Sequence, residues 1–251
     1  MSKVCLLLHG WLGDTNDFAP IFPFLEKNYD HIECLTYPGH GPGEDYSDFT
    51  GEATVELVSK SFEKLEREYT TIDVIGFSMG GALATYLANK YEFRKLVLLA
   101  PANRYFNFYL PFSKVKSFVK YAYELQKAYL KRDQGTKEQI KGRFKAILQD
   151  DLASFRFAKE KYLKPYIRQA YREFKSIIEL TKASVKEIKN PCFIAWGKLD
   201  QLVPKESVDM LYELCISDKK ELKIYEDLSH LLLLSSNCEE LVTDIVKFLE
   251  D

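Results

Sequence analysis

The sequence lacks long hydrophobic runs, a large net charge and closely spaced cysteines. No apolar stretch approaches the roughly 18 residues of a membrane-spanning helix. The formal net charge is only -2, far from the basic excess that nucleic-acid binding needs. The five cysteines form no C-x-x-C pair and no zinc-finger spacing. We therefore expect no nucleic-acid partner, no integral membrane association and no metal site.

The N-terminus also lacks a signal-peptide core, because the apolar stretch Val4–Leu8 is too short for one. The hydrophobic fraction of 46% and the charged fraction of 29% are close to globular averages. At 251 residues, the chain suits one ordinary α/β domain. We expect a folded cytoplasmic protein with reduced thiols, and the sequence leaves its oligomeric state open.

Short apolar runs alternate with helical patterns along most of the chain. Six runs rich in Val, Ile and Leu are typical of buried parallel strands: Lys3–Leu8, His31–Thr36, Thr71–Ile75, Lys95–Leu99, Cys192–Trp196 and Glu221–Tyr225. Three stretches have apolar residues at helical spacing: Ala53–Tyr69, Gly81–Tyr91 and Glu239–Leu249. This alternation predicts an α/β fold with a mostly parallel, doubly wound sheet of about six strands.

The alternation stops between the fourth and fifth predicted strands, where about 90 residues replace a crossover that needs only a dozen or so. Residues 102–175 carry eighteen Lys and Arg against seven Asp and Glu, and sixteen of the chain's 33 Phe and Tyr. Helical periodicity recurs in Ser113–Lys131, Lys137–Gln149 and Phe155–Leu180. We predict a helical cap, residues 102–185, inserted after the fourth strand of a core made of 1–101 and 186–251.

The segment Gly76-Phe77-Ser78-Met79-Gly80 fits the G-x-S-x-G pattern of a nucleophile on a tight strand-to-helix turn. The pattern alone is weak, but here it follows a predicted strand and opens a predicted helix. Such a turn would expose the Ser78 hydroxyl above the carboxyl ends of the strands. It would also aim the Met79 N–H at a developing oxyanion. The alternative is a serine that merely caps the helix.

A second backbone donor is predicted in His9-Gly10-Trp11-Leu12-Gly13, at the end of the first strand. We favour the N–H of Trp11, with Leu12 as a close rival, because loop geometry and not side-chain identity selects a main-chain donor. An ordinary glycine-containing turn is the alternative. We expect Gly10, Trp11 and Leu12, together with Leu202, to line the substrate site.

Asp200 follows the fifth predicted strand and is the candidate acid. A carboxylate there could accept the Nδ1 hydrogen bond of a histidine and hold its tautomer. Asp200 could instead cap a turn before a helix that starts at Pro204. Asp209 and Asp227 are weaker rivals for the same role.

His230 follows the last predicted strand and is the candidate base. The chain has only four histidines. His9 belongs to the predicted donor loop, His31 begins a predicted strand, and His40 lies in a predicted loop, Tyr37–Gly41. His230 therefore has the position that a base requires.

The three candidates occur in the order Ser78, Asp200, His230, which is the order of α/β hydrolases. On these residues the chain resembles the α/β-hydrolase superfamily, most closely its bacterial carboxylesterases and monoacylglycerol lipases. The matching segments are the following: His9-Gly10, Tyr37–Gly41, Gly76–Gly81, Gly197–Pro204 and Ser229-His230. The resemblance implies ester hydrolysis through an acyl-enzyme on Ser78, with no metal or organic cofactor.

The expected partner is a small ester or acyl compound. The basic cap could also make weak contact with an anionic lipid or substrate, although a solvated basic face explains its charge equally well. A thioesterase or a peptidase-like hydrolase could use the same three residues. A ligand-binding relative without catalysis, or an interaction protein using the basic cap, are further alternatives. Dehalogenases and epoxide hydrolases are disfavoured because they resemble this fold but carry Asp where Ser78 stands.

Overall fold

A computed structural model describes residues 2–104 and 166–251 of the chain. The chain divides into two compact units: Met1–Phe106 with Arg168–Asp251, and Asn107–Ile167. Most of the predicted cap, including its first two predicted helices, lies outside the described residues and stays a prediction. Among the described residues, no helix combines the length and the apolar character needed to cross a bilayer.

Six parallel strands form one sheet, in the order β2-β1-β3-β4-β5-β6. The strands are β1 (Lys3–Leu8), β2 (His31–Cys34), β3 (Thr71–Phe77), β4 (Lys95–Leu99), β5 (Cys192–Gly197) and β6 (Lys220–Tyr225). This confirms the predicted parallel sheet. The strand order reverses at β1, which pairs with β2 on one side and with β3 on the other. Ligands of such sheets bind outside the carboxyl ends of the strands at this reversal.

Six helices accompany the sheet in the described residues: α1 (Phe22–Asn28), α2 (Gly51–Glu68), α3 (Met79–Lys90), α4 (Ile167–Ser184), α5 (Lys205–Leu214) and α6 (Glu239–Glu250). Helices α2, α3 and α6 begin and end within about two residues of the predicted bounds. Helix α1 was not predicted, because seven residues with an internal proline show no helical period. A 3₁₀ segment, Thr15–Ile21, leads into it.

The hydrophobic core covers one face of the sheet with α1 and α6. Alternate strand residues such as Leu7, Ile75 and Val97 are buried there. Leu25 of α1 and Ile245 of α6 pack against the same cluster. Helix α3 packs against β1, β3 and β4. Burial of each large apolar side chain contributes about 1.5–3 kcal/mol, so this core fixes the sheet that carries the site.

A buried ionic cluster ties the amino ends of the strands together. The fully buried Asp73 carboxylate accepts hydrogen bonds from Arg94 Nε at 2.8 Å and from the Tyr29 hydroxyl at 2.6 Å. The ammonium group of Lys3 lies 3.8 Å away. Arg94 also donates to the Leu249 carbonyl at the end of α6, at 2.9 Å. Burial, with Cys5 and Asp73 nearby, raises the pKa of Tyr29 well above its usual range, so the phenol remains a donor.

We expect Asp73→Ala to lower the free energy of unfolding by about 1–3 kcal/mol, because it leaves the buried Tyr29 hydroxyl and the partly exposed Arg94 without their shared acceptor. Denaturant unfolding followed by circular dichroism measures this change. The matched control is Glu56→Ala, which removes an exposed pair with Lys60 on α2 and should leave the midpoint unchanged. Equal midpoints for the two variants would contradict the structural role of Asp73.

The turn from β3 into α3 is tight and strained. Ser78 has φ 53° and ψ -113°, a conformation that non-glycine residues rarely adopt. A Cβ atom on Gly80 would lie 1.8 Å from the Leu8 carbonyl oxygen, and one on Gly76 would lie 2.3 Å from the Gly80 carbonyl oxygen. Gly80 therefore allows the first turn of α3 to contact the end of β1, and Gly76 allows the same turn to lie against β3. This contact lifts Ser78 to the carboxyl edge of the sheet.

Gly80→Ala should lower the free energy of unfolding by about 3 kcal/mol, the upper end of the usual cost of overpacking, since the new methyl group must push α3 away from β1. Thermal or denaturant unfolding provides the measurement. Gly43→Asn is the control: Gly43 has φ 79° with no atom near a Cβ, and Asn tolerates that conformation. A Gly80→Ala protein as stable as wild type would show that the turn is looser than described.

Candidate active site

The three residues predicted as nucleophile, acid and base meet at the carboxyl edge of the sheet. Ser78 follows β3, Asp200 follows β5 and His230 follows β6. His230 Nε2 lies 3.0 Å from Ser78 Oγ, and His230 Nδ1 lies 2.8 Å from Asp200 Oδ2. All three residues are buried. Because Nδ1 faces a carboxylate, it carries the ring proton and leaves Nε2 to accept from the serine hydroxyl.

Asp200 is held by the turn that it caps. Its Oδ1 accepts the N–H groups of Leu202 at 2.8 Å and Val203 at 2.9 Å, while Oδ2 faces His230. The Val203 carbonyl in turn accepts the indole N–H of Trp196 at 3.0 Å. Asp200 therefore fulfils both interpretations at once. Its Oδ1 caps the turn, and its Oδ2 is the partner of the histidine.

Neither rival acid is bonded to His230 in the described hydrogen bonds, and an aromatic ring lies beside the histidine. Asp209 pairs with Lys205 on α5, and Asp227 is exposed. The ring of Phe77 lies 5.3 Å from the His230 ring, centroid to centroid, and shields it from one side. The described geometry thus joins His230 to Asp200 and engages Asp209 elsewhere.

Met79 is the first residue of α3, directly after Ser78. The first N–H groups of a helix have no intrahelical acceptor, and the positive end of the helix dipole lies beside them. Met79 is fully buried, so its backbone lies away from bulk water. A negative charge that develops near Ser78 would be favoured at this helix end.

The predicted second donor lies in the loop of residues 9–13, here called the donor loop. The Gly13 N–H donates to the Gly10 carbonyl at 3.0 Å, which closes a turn across Trp11 and Leu12. Leu12 has φ 59°, a left-handed conformation that costs a non-glycine residue about 1–3 kcal/mol. The Leu12 N–H donates to His40 Nε2 at 3.3 Å. Of the two rival donors, Leu12 is thus already bonded within the protein.

Helix α4 provides aromatic partners for the donor loop. The Trp11 ring stacks on Phe174 with centroids 5.3 Å apart, and Tyr171 lies 5.9 Å away. The helix is anchored on α2, because the Glu173 carboxylate accepts the Gly51 N–H at 3.0 Å. The sequence assigned this stretch to the cap, whereas the structure groups α4 from Arg168 onward with the sheet.

The remaining residues predicted to line the substrate site have different surroundings. A Cβ atom on Gly10 would lie 3.0 Å from the Phe77 ring, so Gly10 brings the donor loop close to the His230 side of the site. Leu12 is fully buried, whereas Leu202 is partly exposed beside Asp200. In the part of the chain that the structure describes, no three His, Cys, Asp or Glu side chains form a group that could hold a metal ion.

Sequence reasoning missed the residues that hold the donor loop. Asp17 Oδ2 accepts the Gly10 N–H at 3.1 Å, and His40 contacts Leu12 as described. Nothing in the sequence around Asp17 or His40 indicates that either side chain contacts the donor loop. Tyr171 and Phe174 had a weaker signal, the aromatic excess of residues 102–175, but not their position against Trp11.

Comparison with known proteins supports one family over nearly the whole chain. A family model described as serine aminopeptidase, S33, matches residues 1–237. A carboxylesterase of Bacillus subtilis is 24% identical over 254 residues, covering 99% of this chain and 93% of that protein. Human monoacylglycerol lipase ABHD6 is 28% identical over 225 residues, and the match covers 82% of this chain but only 64% of the human protein.

Solved structures share the fold at low sequence identity. A monoacylglycerol lipase from Paleococcus ferrophilus has a TM-score of 0.65 at 16% identity, covering 98% of this chain and 93% of that one. A putative lipase from Acinetobacter baumannii has a TM-score of 0.63 at 24% identity, covering 99% and 84%. With the family match over residues 1–237, these findings establish that the chain belongs to the serine aminopeptidase S33 family of the α/β-hydrolase superfamily.

Proposed function

We propose that the protein is a serine carboxylic-ester hydrolase that forms an acyl-enzyme on Ser78. The observation that carries the proposal is the unbroken hydrogen-bonded chain from Ser78 through His230 to Asp200. A hydroxyl, a base and an orienting carboxylate in this order form a nucleophilic triad. The relatives named carboxylesterase and monoacylglycerol lipase support an ester as the substrate.

The reaction proceeds in two acyl transfers. Ser78 Oγ attacks the ester carbonyl as its proton passes to His230 Nε2, and the alcohol then leaves with that proton. Water, deprotonated by His230, next attacks the acyl-enzyme and releases the acid, and Ser78 regains its proton. Asp200 orients His230 and stabilises the imidazolium that forms in each half. This chemistry requires no metal or organic cofactor.

Two backbone N–H groups stabilise the tetrahedral oxyanion in this proposal. Met79 supplies one from the start of α3, and we assign the other to Trp11. Leu12 is the weaker choice because its N–H already donates to His40. Loss of one such donor lowers the rate about 100- to 1,000-fold in serine hydrolases.

The substrate would lie between the donor loop and the turn of Asp200. Gly10 and Trp11 would border the substrate on one side and Leu202 on the other. Leu12 is fully buried, so we expect it to support the loop and not to touch the substrate. A cap over this region, with its aromatic residues around the acyl group, remains part of the proposal. We also propose that the basic segment 102–175 attracts an anionic substrate or lipid. A cytoplasmic location is a further part of the proposal.

A peptidase is the second candidate function, because the matching family model is described as serine aminopeptidase, S33. The same triad can cleave amides and thioesters. Rates on amino-acid p-nitroanilides and on acyl thioesters, compared with those on p-nitrophenyl esters of matched acyl groups, separate the three activities. Amide hydrolysis faster than ester hydrolysis would replace the ester assignment.

Ser78 should be required both for hydrolysis and for covalent labelling. Wild type should hydrolyse p-nitrophenyl esters between acetate and palmitate and should be labelled by a fluorophosphonate. Ser78→Ala should lose both properties, with a rate at least about 1,000-fold lower. Ser47→Ala, at an exposed serine, is the control and should behave as wild type. A folded wild type that is neither active nor labelled would favour the ligand-binding alternative.

Substitutions at Asp200 and at its rival Asp227 should have different effects on the rate. Asp200→Asn should lower kcat by about 1,000- to 10,000-fold with little change in KM, because the amide no longer holds the correct tautomer of His230. Asp227→Asn, a matched change at an exposed residue, should leave kcat unchanged. Steady-state kinetics on one ester measures both. The opposite pattern would move the acid to Asp227.

A further inference from the structure

The turn Tyr37–Gly41 has no role in the acyl transfer described above. Several hydrogen bonds nevertheless hold its backbone in one conformation. The His40 N–H donates to the Tyr37 carbonyl at 3.0 Å. Glu44 Oε2 accepts the N–H groups of Gly39 at 2.9 Å and Gly41 at 3.1 Å, one on each side of His40. Gly39 has φ 75°, which glycine alone adopts readily. The turn therefore presents the His40 side chain from a fixed backbone.

Aromatic rings enclose the His40 imidazole. Tyr46 and Phe49 lie edge-to-face with it at 4.8 Å and 4.9 Å between centroids. Tyr37 is at 5.6 Å and His9 at 5.3 Å. His40 is only 8% exposed. The ring cannot rotate away from its contacts without disturbing this packing.

The two ring nitrogens of His40 have different partners, which define the tautomer. Nδ1 lies 3.1 Å from the Pro38 carbonyl, so it carries the proton and donates. Nε2 receives the Leu12 N–H at 3.3 Å, so it must be unprotonated. His40 is thus a neutral acceptor aimed at the donor loop.

The bond to Leu12 selects one of two forms of the donor-loop turn. Gly10 and Gly13 close the turn, and the positive φ of Leu12 at its third position is the sign of a type II turn. Type II normally requires glycine there, and a flip of the peptide between Trp11 and Leu12 would give type I with a negative φ. His40 accepts the N–H of that very peptide and so opposes the flip.

Two further bonds hold the same loop from the same side. The Tyr37 hydroxyl donates to the His9 carbonyl at 3.2 Å, and the Tyr46 hydroxyl donates to the Leu12 carbonyl at 3.5 Å. Residues on both sides of Trp11 are thereby tied to the segment 37–46. Of these contacts, only the one from His40 bears on the peptide that distinguishes the two turn types.

We propose that His40 is a positioning residue for oxyanion stabilisation: its neutral ring accepts the Leu12 N–H and holds the donor loop in the conformation that presents Trp11. The inference rests on the proposed ester hydrolysis. His40 does not touch the substrate in this account and takes no proton from it. Without His40 the peptide between Trp11 and Leu12 is free to flip, so the loop loses its single conformation and holds the neighbouring Trp11 N–H less firmly towards the transition state.

His40→Met and His40→Gln form a matched pair of variants, because both side chains have similar size but only Gln offers a strong acceptor. We expect His40→Met to lower kcat about 10- to 100-fold with KM nearly unchanged, less than the loss of a whole donor. His40→Gln should recover most of that loss. His31→Gln, on the edge strand β2 and stacked on Tyr69, is the control and should match wild type.

An ester and the corresponding thionoester distinguish oxyanion stabilisation from a general structural role. Sulfur accepts hydrogen bonds poorly, so a damaged donor loop should slow the ester more than the thionoester. We expect the ratio of their kcat/KM values to fall in His40→Met and to return in His40→Gln. A parallel loss on both substrates, or equal losses in the two variants, would overturn the proposal.

The tautomer of His40 is measurable in the wild-type protein, which avoids variants that fail to fold. Nitrogen-15 spectra of the imidazole should show a protonated Nδ1 and a bare Nε2 at neutral pH. A protonated Nε2 would overturn the proposal regardless of the kinetics. An inactive, unlabelled wild type would contradict the proposed ester hydrolysis, whereas an active wild type with equally impaired Met and Gln variants would contradict the role of His40 alone.

Discussion

The candidate site depends on one close contact, between the first turn of α3 and the last residue of β1. Gly80 lies so near the Leu8 carbonyl that no side chain fits between them. The contact brings the strained Ser78 to the edge of the sheet, and it brings the start of α3 beside the donor loop, which begins at His9. Ser78, the candidate nucleophile, and two separate sources of backbone N–H groups thus come together through the packing of a helix on a strand.

The same device recurs on the other side of the site. A Cβ atom on Gly197 would lie 2.3 Å from the Leu228 carbonyl oxygen, so the end of β5 also touches the loop after β6 without a side chain between them. This contact brings the turn of Asp200 against the segment that carries His230. Because all six strands are parallel, each loop that follows a strand emerges at one edge of the sheet. Residues 152 positions apart in sequence, Ser78 and His230, can therefore share a hydrogen bond.

The sequence contained enough to predict the sheet and the three candidate residues, for physical reasons. Buried parallel strands appear as unbroken apolar runs, and Ser78, Asp200 and His230 each follow such a run. The residues that hold the donor loop could not be predicted from the sequence. His40 lies 28 residues from Leu12, and nothing in its local sequence indicates that its ring accepts a backbone N–H. Helix α4 was predicted as a helix, but its periodicity could not show that Phe174 would pack on Trp11. Periodicity reports burial and not the identity of the neighbour.

The central claim is that Ser78 carries the acyl group during turnover. The most direct test is to mix the protein with p-nitrophenyl butyrate, quench it in acid within the first turnovers and locate any added mass by peptide mass spectrometry. The account predicts a burst of p-nitrophenol and one butyryl group on the peptide that contains Ser78. Two results would contradict this claim. One is a burst of p-nitrophenol with no acylated peptide, and the other is a butyryl group on a residue other than Ser78.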